Sequence, residues 1–444
     1  MSPTLAADPQ ADPQIAASST VASTPTLTVL NNGLTVIHQQ MPSSAVVTLD
    51  VWVKAGSRLE SMAWGGMAHF LEHMIFKGTE RLGPGVFDAV VEGLGATTNA
   101  ATSYDYAHFY VTASADQGKA AFAPLAELLL NAAIPEDEFD RERSVVLEEI
   151  RQAEDNPDWR GYEALLALVY PDHPYGRPIL GTPDTLLGRS PTEMRQFHRC
   201  HYQPGNMTVA ITGQLSQSTA LSWISDMFQG FPSPESRPET SLPEGCGGTV
   251  PAIAPVLSDG KRRHLQLPYL EQARLMMGWR GPGWADQDAT NSLDILAAIL
   301  TSGRTSRLVR ELREERQWVY DIGCECHVQR DSTLFAITAW LELEHLEAVE
   351  TFIQEQLQRL RDEPVGDLEL ARAKRLLIND HEFSSETPSQ LASLYGYYNT
   401  MGTFDDVLTY PQQLQAIAAD PLQQVARQYL SPHRYCAVVL EPEA

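Results

Sequence analysis

Apolar and polar residues alternate early in the chain. Val47, Leu49, Val51 and Val53 fall at every second position, a period that predicts a strand. Longer segments further on change to helical spacing. FYVTASADQGKAAFAPLAELLLN, from Phe109, reads as strand, turn and helix, and LFAITAWLELEHLEAVETFIQEQLQ, from Leu334, reads the same way. FDRERSVVLEEIRQAEDNP, from Phe139, is a charged amphipathic helix whose apolar positions return in LARAKRLLINDHEFSSETP, from Leu370. HYQPGNMTVAITGQL, from His201, and QYLSPHRYCAVVLEP, from Gln428, are each a loop and then a strand. Three pairs in the same order predict an internal duplication. The expected class is α+β: two homologous domains, each a mixed sheet with helices packed on one face.

Two segments break this pattern. Residues 1–25 are rich in alanine, proline and serine and predict a disordered leader. Six prolines lie between Pro232 and Pro255, where lost donors and fixed φ favour a linker. The expected domains are therefore 26–231 and 256–444, joined by 232–255.

Charge and cysteine use narrow the function. Among 444 residues, 32 Lys and Arg stand against 57 Asp and Glu, a formal charge of −25. An acidic surface argues against nucleic acid and anionic membranes as partners. No apolar run approaches the roughly 20 residues of a membrane helix. The first basic residue is Lys54, so the leader lacks the basic start of a secretory signal and the arginines of a mitochondrial one. The five scattered cysteines supply no disulfide framework and fit a reducing compartment. The expected location is the cytoplasm. Cys324, Cys326 and His327 could be read as metal ligands, but their spacing suits tetrahedral zinc poorly, and they fall where a strand should run.

The strongest chemical signal is GGMAHFLEHMIFKGT, from Gly65 to Thr79. Met67, Ala68, Phe70, Leu71, Met74 and Ile75 give a helical apolar pattern that Gly78 ends. His69 and His73 are four apart and share one face of that helix, where they can take two corners of a zinc tetrahedron. Glu72 lies beside His73, placed to reach a metal-bound water. This His-x-x-Glu-His order is the inverted zinc-peptidase motif. A third ligand is needed. The helix around 143–150 offers Glu142, Glu148 and Glu149, and sequence physics does not choose among them. No phosphate-loop or nucleophile-elbow string occurs.

With these residues the chain resembles the pitrilysin-type metallopeptidases, over a span from about Leu30 to Glu441. The resemblance implies Glu149, 76 residues past His73 in the string ERSVVLEEI, as the third ligand of one Zn2+ per chain. It implies Glu142 as a further acid near the metal that supports catalysis. NAATSYDYAHFY, from Asn99, is similar to the family's edge strand, so Asn99, Ala100 and Ala101 would pair with substrate backbone. HPYGRPILGT, from His173, is also family-like. Arg313 and Tyr320, in SRLVRELREERQWVY, match an arginine–tyrosine pair that contacts the bound peptide from the neighbouring lobe. Two positions depart from the family: Ala101 replaces a frequent aromatic residue and should open the pocket, and Ala107 replaces a threonine. The second half has SLDILAAILTSG where the motif would fall, without histidine.

The implied activity is zinc-dependent endopeptidase action on peptides or unfolded segments, with Glu72 as base and Tyr320 beside the oxyanion. The chain would supply half of a clam-shell chamber. A homodimer is expected to complete it, because this chain keeps both the motif and the Arg313/Tyr320 pair. The alternatives are a heterodimer with a motif-deficient homologue and a non-catalytic or processing subunit of such a complex.

Overall fold

The computed structural model describes residues 23–229 and 250–443. The leader up to residue 22 and most of the proline-rich segment lie outside the described residues. Among the described residues, eleven strands form two sheets. The first contains β1 (Thr26–Val29), β2 (Thr35–Gln40), β3 (Val46–Val53), β4 (Thr97–Thr102), β5 (Ala107–Ser114) and β6 (Met207–Gly213), in the order β1-β2-β6-β3-β5-β4. The second contains β7 (Arg262–Leu267), β8 (Ala273–Gly281), β9 (Val319–Val328), β10 (Thr333–Leu341) and β11 (Cys436–Pro442), in the order β7-β11-β8-β10-β9.

Apart from β1, the two sheets have one topology. The first parallel pair is β2 with β6, the second is β7 with β11, and all other neighbours are antiparallel. In chain order each half runs 1-5-2-4-3 across its sheet. This is the duplication read from the sequence. It makes β4 and β9 equivalent edge strands.

Each sheet buries one face under helices of its own half. Phe70, Phe122, Phe139 and Phe197 cover the first, and Leu293, Leu296, Val349 and Leu357 the second. The expectation of helices on one face is corrected at the opposite faces, where the halves exchange a helix. Helix Pro157–Val169 of the first half lies on β8 and β11, and helix Pro388–Met401 of the second half lies on β3 and β6. The cause is apolar surface on both sides of each sheet, such as Met276 and Leu440 in one and Ile37 and Ala210 in the other. A glycine permits each approach. A Cβ on Gly161 would stand 2.7 Å from Leu440 Cδ1, and one on Gly396 would strike the Trp52 ring. Gly396→Ala should therefore cost about 1–3 kcal/mol. Chemical denaturation would read this, with Gly366→Ala, which meets no atom within 4 Å, as the matched control.

A polar joint also ties the halves. Arg58 Nε contacts Asp105 at 2.8 Å and its guanidinium reaches Asp331 of the second half at 3.0 Å. The Tyr175 hydroxyl, within HPYGRPILGT, donates to Asp105 at 3.0 Å. Cys324, Cys326 and Cys436 are free thiols.

Candidate metal centre

The apolar residues of GGMAHFLEHMIFKGT form the helix Met67–Ile75, with Met67, Phe70, Leu71, Met74 and Ile75 fully buried. Gly78, at φ 100°, turns the chain away after it. Core packing on those residues aims His69 and His73 together at helix Glu136–Asp155. Their rings lie 4.8 Å apart. On the facing helix Phe139, Val146 and Ile150 are buried, and Glu142 and Glu149, seven apart, lie two turns apart on one face.

That geometry singles out one of the three acids. His69 Nε2 lies 3.7 Å from Glu149 Oε1, and His73 Nε2 lies 3.5 Å from Glu149 Oε2. Among the described residues these three alone form a group able to hold a metal, with ligand atoms within 4.8 Å of one another. Corners of a zinc tetrahedron with bonds of about 2.05 Å stand about 3.3 Å apart, close to the two histidine–Glu149 spacings. Glu148 points elsewhere and pairs with Arg151 at 2.8 Å.

Glu142 is the partner of His73. It accepts from His73 Nδ1 at 2.9 Å and pairs with Lys77 Nζ at 2.6 Å. A carboxylate on the far nitrogen fixes the tautomer that presents Nε2 to a metal. Burial lowers the His73 pKa, but hydrogen bonds to Glu142 and Glu149 outweigh it and push it up to about 9. His69 goes the other way, down to about 4, through burial and the neighbouring His73. The hydrogen bond from His73 holds Glu149 low. A proton on His73 Nε2 would have to leave before that nitrogen could bind a metal.

Glu72 faces the same space without joining the ligand group. It accepts from the Thr102 hydroxyl at 2.6 Å, and burial raises its pKa. Thr102 ends β4, the edge strand. Thr98, Ala100 and Thr102 face the helix side, while Asn99 and Ala101 are exposed opposite Tyr110 and His108. The edge of β4 is therefore continuous with Glu72 through one hydrogen bond. Sequence reasoning missed Thr102 and Lys77. Both lie inside strings it singled out, but only long-range packing reveals their partners.

The remaining pair is placed apart. Arg313 sits in a π-helical turn, Val309–Glu315, and Tyr320 on edge strand β9. Arg313 pairs with Glu314 and Asp321, and the exposed Tyr320 donates to Glu342 at 2.5 Å. None of these partners belongs to the metal group.

Comparison with known proteins places this geometry in a family. Residues 35–183 match the model described as Insulinase (Peptidase family M16), and residues 190–377 match Peptidase M16 inactive domain. An uncharacterized zinc protease of Mycobacterium leprae is 28% identical over 94% of this chain and 92% of its own. The zinc protease PqqE of Helicobacter pylori is also 28% identical, over 93% and 92%. A crystal structure of a Helicobacter pylori protease superposes with TM-score 0.86 at 25% identity, covering 95% of this chain and all of that one. Pitrilysin superposes with TM-score 0.79 at 20% identity, with 96% of this chain covering 45% of pitrilysin.

Proposed function

The chain belongs to the M16, pitrilysin-type peptidase family, and from that premise we propose that it is a zinc-dependent endopeptidase acting on peptides or unfolded segments. The observation that carries this reading is the convergence of His69, His73 and Glu149 beside a separate carboxylate, Glu72. The 3.5–3.7 Å spacing of the donors suits a metal better than a closed hydrogen-bond network. Bound there, zinc would supply Lewis acidity and lower the pKa of a water towards neutrality.

The protein's own groups do the rest. Glu72 takes a proton from the attacking water and returns it to the leaving amine. The exposed edge at Asn99, Ala100 and Ala101 holds substrate backbone as an added strand, which sets direction with little demand on sequence. The Tyr320 hydroxyl stabilises the oxyanion and Arg313 holds the peptide, both contributed by a second copy of the chain. A non-catalytic role is favoured only by the inactive-domain description of the second half. That description fits helix Gln287–Thr301, which lacks histidine, and does not touch the first-half site.

The test is metal analysis with cleavage of a peptide library. Purified protein should hold about one zinc per chain. Chelation should abolish cleavage, and added zinc should restore it. Folded protein that neither contains nor takes up zinc would overturn the reading.

A further inference from the structure

The motif helix begins without a side-chain cap. Its N-cap residue is Gly66, so the first N–H groups need an acceptor from elsewhere. Glu60 supplies it. Its Oε2 accepts from Gly66 N at 3.0 Å and its Oε1 from Ala68 N at 2.6 Å. The residue is only 4% exposed. Its own carbonyl accepts from Arg177 Nη2 at 3.0 Å, within HPYGRPILGT. The same segment locks the turn from outside. A Cβ on Gly66 (φ +87°) would lie 2.6 Å from the Leu180 carbonyl oxygen, and one on Gly181 (φ +74°) 2.5 Å from that of Gly65.

The two histidines differ in what orients them. His73 is fixed by Glu142 at 2.9 Å. His69 Nδ1 is buried with no hydrogen-bond partner. The aim of His69 therefore depends on the backbone of the first helical turn, and His69 directly follows Ala68.

We propose that Glu60 is the positioning residue for His69, setting metal affinity by holding the first turn of the motif helix in register with Glu149. The inference rests on the zinc reading above. Glu60 touches neither metal nor substrate. It does through the backbone what Glu142 does for His73 through the ring. Support groups of this kind alter metal affinity by about 10–100-fold when removed.

Glu60→Gln places an NH2 against one of the two N–H donors and should loosen the turn. Zinc affinity, measured by competition with a chromophoric chelator, should fall about 10–100-fold. The zinc-induced rise in Tm should shrink accordingly. Glu60→Asp, whose carboxylate stops one methylene short, should lose several-fold. Asp286→Ala removes the side-chain cap of helix Gln287–Thr301, in the second half, and serves as the control. It should lower Tm and leave zinc affinity unchanged. Parental zinc affinity in Glu60→Gln, or in Glu60→Asp should the glutamine variant not fold, would reduce Glu60 to a structural cap and overturn the proposal. A parent that binds no zinc would overturn the site reading and this inference together. A parent that binds, with variants that bind equally, overturns this inference alone.

Discussion

Glu72→Gln should keep its zinc and lose about 10²–10⁴-fold in kcat/KM for peptide cleavage, the usual contribution of a positioned proton carrier. Glutamine has the same shape, and its carbonyl oxygen can still accept from the Thr102 hydroxyl, now 2.6 Å from the carboxylate. The helix and the three ligands should therefore stay in place, and the change removes only the group that takes the proton. His73→Ala acts on the other half of the machinery. It deletes a ligand and leaves Glu142 facing Lys77 alone, so zinc itself should be lost. Metal content and initial rates on the same samples separate the two effects. Equal turnover in Glu72→Gln and the parent would remove Glu72 from the mechanism, and full zinc in His73→Ala would break the ligand assignment.

What the sequence shows and what it hides divide along contact range. The alternation at Val47, Leu49, Val51 and Val53 is local and becomes β3. The histidine spacing is local too, since helical geometry alone puts residues four apart on one face. The duplication is visible because both copies keep the same order of periods. The exchange of helices is not. An apolar face on Pro157–Val169 looks the same whether it covers its own sheet or the other, and only Gly161 and Gly396 mark the close approach. The choice among Glu142, Glu148 and Glu149 is also hidden locally, because all three ride one charged helix. It took the family resemblance to name Glu149, and the packing of Phe139, Val146 and Ile150 explains why Glu148 faces away. Thr102, Lys77 and Glu60 act through partners that the surrounding fold brings near. No local pattern announces such residues.

Mixing two nearly inactive chains should restore activity if the site is shared between subunits. The chain carries two groups of candidate site residues at separate places in its fold. Its metal group lies beside edge strand β4, while Arg313 and Tyr320 stand at the equivalent edge β9, engaged with Glu314, Asp321 and Glu342. Two copies about a two-fold axis would bring each β9 edge to the partner's β4 edge and create two equivalent sites. Glu72→Gln and Tyr320→Phe then damage different sites in a predictable way. In a mixed dimer, one site receives both defects and the other receives neither. Each mixed dimer should therefore show about half the parental rate, and complete random exchange of equal amounts about a quarter overall. A heterodimeric protein would fail earlier, because the chain purified alone would be inactive until its homologue was added. If the site is built within one chain, every site in the mixture carries one defect. Activity then stays at the level of the separate variants, even where sedimentation of labelled chains proves exchange.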